Sequence, residues 1–84
     1  MKLINLSNSH ISFEFATCDL SRVDEAIRKI YGPSLKKTYF ALCTKYEFHN
    51  EDFTFQNEWD DPCLIAGSEK GDKILESLFN HITK

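Results

Sequence analysis

The side chains with the means to do chemistry are few and scattered. His49 stands beside Glu51 and Asp52, with Cys43 six residues before it, while Cys18, Cys63, His10 and His81 lie far apart in the chain. Nucleophilic catalysis needs a nucleophile, a base and a group that orients the base. A turn histidine next to solvated carboxylates meets that description only in outline, so no catalytic residue is assigned and no enzymatic activity is expected. The cysteines and histidines lack zinc-ligand spacing, and a CxxC pair is absent. Asp60-Asp61 is not followed by the Asp-Gly pattern of a calcium loop. The run AGSEKGDK places two glycines before an apolar stripe, yet it does not match the spacing of a phosphate-binding loop. Neither metal nor cofactor is expected, and the cysteines read as small buried hydrophobes.

What does stand out is the stretch from Tyr46 to Glu69. It holds seven acids, Glu47, Glu51, Asp52, Glu58, Asp60, Asp61 and Glu69, and no Lys or Arg. Tyr46, Phe48, Phe53, Phe55 and Trp59 are woven among them. Concentrated like charges repel, and unpaired carboxylates are costly to bury. These acids therefore read either as a solvated hairpin or as one exposed patch for a cationic partner. Tyr46, Glu47, Glu51, Asp52, Glu58, Trp59, Asp60 and Asp61 are the candidate partner-binding residues. Trp59 reads equally well as an interface anchor and as a lid on the core under the second helix. Arg28, Lys29, Lys36 and Lys37 make a positive cluster that reads as a solvated helix end.

The elements that position these residues follow from periodicity. Lys2 to Leu6 suits a short strand, and the chain reverses near Asn8. Ile11, Phe13 and Phe15 alternate with Ser12 and Glu14, as in a half-buried strand. Val23, Ala26, Ile27 and Ile30 recur at helical spacing and predict a helix over about 20–31, with Asp19 or Ser21 as cap, Asp24 completing a near capping box, and Gly32-Pro33 as stop. Thr38 to Phe48 reads as one central strand, apolar on both faces at its start. A turn of about four residues, His49 to Asp52, leads into a strand ending near Trp59. Asp60, Asp61 and Pro62 break the ladder before a last short strand, Cys63 to Ala66. Ser68 or Asp72 caps a second helix over about 70–82, with Gly71 favouring a late start and Ile74, Leu75, Leu78, Phe79 and Ile82 as its stripe.

The order β-β-α-β-β-β-α predicts an α+β fold: a mainly antiparallel sheet of four to five strands with both helices on one face. Phe13, Ile27, Ile30, Phe55, Leu75 and Phe79 are the expected deep core.

At 84 residues and net charge −3, residues 1–84 make a single domain. The acidic middle argues against nucleic acid or an anionic membrane as partner. An odd cysteine count of three, without a framework spacing, points to a reducing compartment. The opening MKLINLSNSH lacks a signal-peptide apolar run, so a cytoplasmic location is expected.

With these elements placed, the run NEWDDPCLIAGSEKGDKILESLF, Asn57 to Phe79, resembles the small cytoplasmic immunity proteins of bacterial polymorphic-toxin and contact-dependent inhibition systems. Size, acidity and α+β order resemble them too. The resemblance implies a protein that binds a toxin domain, often a nuclease, and occludes its active site or substrate groove. A nuclease groove is basic, so carboxylates would speed encounter and aromatics would anchor the complex. The alternatives are a phage or plasmid inhibitor that mimics nucleic acid, and a small adaptor or regulatory subunit. Oligomeric state is not legible in the sequence.

Overall fold

A computed structural model describes residues 1–7, 10–32, 35–58 and 61–83, with Glu58 and Asp61 as backbone. Six strands are formed: β1 (Lys2–Asn5), β2 (Ile11–Glu14), β3 (Lys36–Tyr39), β4 (Thr44–Phe48), β5 (Glu51–Glu58) and β6 (Asp61–Ala66). Helix α1 (Leu20–Tyr31), entered through a 3₁₀ turn at Thr17–Asp19, follows β2, and α2 (Glu69–Ile82) follows β6. The strands form one antiparallel sheet in the order β1-β2-β6-β5-β4-β3. The α+β class is as the periodicity predicts, with more strands than expected.

Register explains the layers. Leu3, Phe13, Leu64, Phe55, Thr44 and Tyr39 stand opposite one another across the sheet, so they share a face. That face also carries Tyr46, Phe53 and Ala66, and it meets Val23, Ala26 and Ile27 of α1 and Ile74, Leu75 and Leu78 of α2 in one core. Both helices therefore cover the same face. The other face has no helix over it and carries the row Ile4, Ser12, Ile65, Thr54, Lys45 and Thr38, of which Ser12 is buried and the rest half-buried. The two-strand register between β4 and β5 stacks aromatics diagonally: Phe48 on Phe53 at 4.5 Å between ring centroids, and Tyr46 on Phe55 at 5.3 Å.

The helices are set by local chemistry. Gly32, at φ 90°, ends α1 in a conformation an L side chain rarely adopts. The Asp24 capping box does not form: Asp19 is the N-cap residue, its carboxylate takes Arg22 at 3.2 Å, and Asp24 turns to the sheet. Ser68 caps α2, accepting the Gly71 N–H at 3.0 Å. The late start is thus corrected, because Gly71 lies inside the first turn. A Cβ there would stand 3.1 Å from the Ala66 Cβ and 3.3 Å from the Phe53 ring, so glycine lets α2 lie close to β5 and β6. Arg22 donates to the Ile82 carbonyl at 3.4 Å, tying the start of α1 to the end of α2.

Other expectations are also corrected. Thr38 to Phe48 is not one central strand. Phe40 N–H donates to the Cys43 carbonyl at 2.8 Å, and the chain turns back through Ala41-Leu42 to make β3 and β4 a hairpin at the sheet edge. Asp61 and Pro62 do not break the ladder; they begin β6, and Pro62 accepts from Phe15 N–H at 3.1 Å. Ile30 is 41% exposed, since the buried stripe of α1 stops at Ile27. Phe55 and Phe79 are half-buried at the core's margin. Cys18 is exposed and Cys43 and Cys63 are half-buried, so none is a core hydrophobe. Among the described residues no helix is long and apolar enough to cross a membrane.

Candidate functional site

The acids of the central stretch are positioned by the β4–β5 turn. It is two residues long, His49-Asn50, not the expected four. Both have positive φ, 53° and 61°, as a tight hairpin turn of the left-handed type demands. Asn and His are both among the residues enriched in this conformation. The turn brings Phe48 opposite Glu51 and Glu47 opposite Asp52. Two carboxylates directly across a strand pair repel. Lys45 relieves them from the open face, with its Nζ 3.8 Å from Glu47 and 3.6 Å from Asp52. The Asp52 side chain remains 64% exposed. Glu51 is held on the helix side, where it accepts a hydrogen bond from the Ser68 hydroxyl.

Around this turn lies a cleft of about 530 Å³. Glu47, Glu51 and Asp52 supply its negative charge, Lys36 its cation, and Tyr31, Phe48 and His49 its aromatic wall. Tyr31 comes from the last turn of α1 and lies 5.0 Å from the His49 ring and 5.5 Å from Phe48. Burial pushes its phenol above the usual 10.0, against a hydrogen bond with Ser77. Carboxylates beside ring faces suit an ammonium or guanidinium, which gains from both. A smaller cleft of about 220 Å³, lined by His49, Asn50, Lys70, Lys73 and Ile74, lies across the same turn. The turn therefore separates an acidic hollow from a basic one.

The described sequence candidates do not form one patch. Glu47, Glu51 and Asp52 gather at the β4–β5 turn. Glu58 stands opposite Asp61 at the other end of β5, about 20 Å away at the rise of an extended strand. Trp59 and Asp60 lie outside the described residues, and so does the choice between anchor and core for Trp59. Tyr46 is not a surface anchor. It is 2% exposed, packed among Phe55, Lys37 and Asp24. Sequence reasoning missed Tyr31, Lys36 and His49 as cleft residues. Only His49 carried a signal, as a titratable side chain beside Glu51 and Asp52 in the expected turn.

Tyr46 belongs to a polar cluster that locks α1 to the sheet. Lys37 Nζ lies 2.7 Å from Asp24 and 4.9 Å from the Tyr46 ring centroid, and the Tyr46 hydroxyl donates to Asp24 at 3.4 Å. Burial, then the Asp24 charge, push the Tyr46 phenol above 10.0, against the pull of Lys37. For Lys37, burial pulls the ammonium down, but the Asp24 hydrogen bond and the interaction with Tyr46 outweigh it and leave it above 10.5. On the tyrosine, the unfolded chain ionises first as pH rises through 10, so folding weakens from there. The stabilising share of Lys37 is complete below its unfolded value and is lost as pH rises through its folded one. Both act in the same direction. The melting temperature is expected to fall above a pH of about 10, and Tyr46→Phe should make that alkaline fall shallower. Melts across the alkaline range check this, and identical slopes for the two proteins would refute it.

Comparison with protein-family models, with curated proteins and with solved structures gives no match.

Proposed function

We propose that this is a small acidic binding protein of the cytoplasm, of the immunity type, which neutralises a cognate toxin by occluding its basic surface. The observation that carries the reading is the gathering of Glu47, Glu51 and Asp52 about one hairpin turn that borders a cleft with an aromatic wall, Glu51 from the helix side and the other two from the opposite face. A basic side chain of the toxin, seated there, meets carboxylates held by a two-residue turn and needs little reordering. Glu58 and Asp61, at the far end of β5, form a separate group in this reading. They steer encounter, while the cleft holds the complex.

The test uses the basic toxin domain that this reading expects to be encoded beside this protein. Cells producing that domain should survive when the unmodified protein is co-produced, and should not when it carries Glu47→Gln and Asp52→Asn. In binding kinetics the double variant should weaken affinity by about 10-fold or more, mainly through faster dissociation. Asp60→Asn with Asp61→Asn should slow association alone. Unchanged rescue and unchanged kinetics for the cleft variant would remove the cleft from the function.

A further inference from the structure

The free edge of the sheet carries a feature that the cleft does not use. β3 is the last strand of the sheet, paired with β4 on one side and with no other described strand on the other. Its hairpin tip exposes three large apolar side chains: Tyr39 at 75%, Phe40 at 58% and Leu42 at 92%. Open edge strands are commonly guarded by lysines whose charge repels a second strand. β3 has two: Lys37 is neutralised within the chain, while Lys36 is exposed at the strand's start. Lys37 is 2.7 Å from Asp24, and Lys36 stands in register with Glu47.

We propose that β3 pairs with β3 of a second copy of this chain, antiparallel about a twofold axis at Thr38, so that the two sheets become one. The hydrogen-bond pattern selects this register. Phe40 N–H bonds inward to Cys43, so by antiparallel alternation Thr38 and Lys36 also bond inward to β4. The N–H and C=O groups of Lys37 and Tyr39 then point outward, unused by β4. Pairing about Thr38 sets Lys37 opposite Tyr39 of the second copy, and each such pair exchanges both of its hydrogen bonds. It also sets Lys36 opposite Phe40 of the second copy. Each lysine thus meets an aromatic ring, an attractive pairing. Centring the axis on Lys37 would oppose two like charges. Centring it on Tyr39 would set Lys37 against Ala41, beyond the strand.

Charge is why the occupant is a second copy. The strand is basic in its first half and aromatic in its second, the order in which antiparallel pairing makes it complementary to itself. The pairing also brings Phe40 of the second copy beside Lys36, which lines the acidic cleft. The cleft's edge is then built from both copies. This proposal does not depend on the toxin-binding reading, since its test contains no partner.

Sedimentation velocity of the unmodified chain, from low micromolar to near millimolar, should show a concentration-dependent species of twice the 9.8 kDa chain. Tyr39→Pro removes an outward N–H and leaves the β3–β4 ladder intact, as edge strands permit. It should weaken association by about tenfold or more while preserving the monomer's circular dichroism. Thr38→Lys and Thr38→Glu should each weaken self-association by about fivefold, and a mixture of the two should recover it as a heterodimer. Recovery in the mixture supports the twofold at Thr38. A chain that stays monomeric throughout, a dimer indifferent to Tyr39→Pro, or a mixture that does not recover would each overturn the proposal.

Discussion

Replacing Phe13 with alanine is expected to lower the melting temperature by at least about 12 °C. Phe13 has no exposed surface. Its ring meets Phe15 at 5.3 Å and Phe79 of α2 at 6.0 Å, and it stands opposite Leu3 on one side and Leu64 on the other. Truncating a phenylalanine in such a place costs about 3–5 kcal/mol, the transfer of the ring plus the cavity left behind. An 84-residue domain has a total stability of roughly 4–13 kcal/mol. The single change therefore takes a large share of what holds the chain folded. Phe13→Leu, which refills most of the space, should cost far less. Thermal and urea melts of both variants measure this, and an alanine variant that melts within a few degrees of the parent would show that Phe13 is not a central core residue.

The second large effect is polar. Asp72→Ala should destabilise by about 2–3 kcal/mol, with a melting temperature lower by roughly 10–20 °C. Asp72 lies in the first turn of α2 with a side chain only 13% exposed. Its Oδ1 accepts the Ile11 backbone N–H at 2.9 Å, and its Oδ2 lies 3.3 Å from His10 Nδ1. The carboxylate thus fastens the start of the last helix to the start of β2. It also faces the positive end of the helix dipole. Alanine would leave a buried N–H without its acceptor, and an unmade buried hydrogen bond is costlier than a made one is valuable. Asp72→Asn keeps the Oδ1 acceptor and should fall between the two. Hydrogen exchange at the Ile11 amide offers an independent reading: it should accelerate in Asp72→Ala. A protected Ile11 amide in that variant would mean another group takes the bond.

Much of this architecture is legible in the sequence. The stripes Val23-Ala26-Ile27 and Ile74-Leu75-Leu78 are helical because helical spacing alone puts them on one side, and both helices bury them as read. The alternation of Ile11, Phe13 and Phe15 has one solution on a pleated strand. The failures share a cause. Tyr39 to Cys43 contains no glycine, proline, asparagine or aspartate, so the turn at Ala41-Leu42 left no compositional mark, and β3 and β4 read as one strand. Pro62 reads as a breaker, yet at the first positions of a strand its missing N–H is tolerated. The acidic run reads as a single patch because sequence distance hides strand length. An eight-residue β5 carries Glu51 and Glu58 to opposite ends of the sheet. The cleft was out of reach, since Tyr31 and Lys36 enter it from elements that only the tertiary fold brings beside the turn.

The strand order also carries a consequence for how the chain comes to be folded. Among the described strands, every neighbouring pair is consecutive in the chain except β2–β6, which joins Ser12 to Ile65 across α1 and the whole β3–β6 meander. The meander closes short loops, and short closures are fast. The N-terminal hairpin and α1 leave the ribosome earlier but must wait, with Ile11, Phe13, Phe15, Val23 and Ile27 uncovered, until β6 and α2 arrive. The rate-limiting event is then the docking of the earliest-made third onto the latest-made one. Mutations at the β2–β6 seam should slow refolding less than they speed unfolding, whereas those at the Phe48–Phe53 stack should do the reverse. Folding and unfolding rates for Phe13→Leu and Phe53→Leu decide it: equal partition at both sites would mean the two thirds fold together.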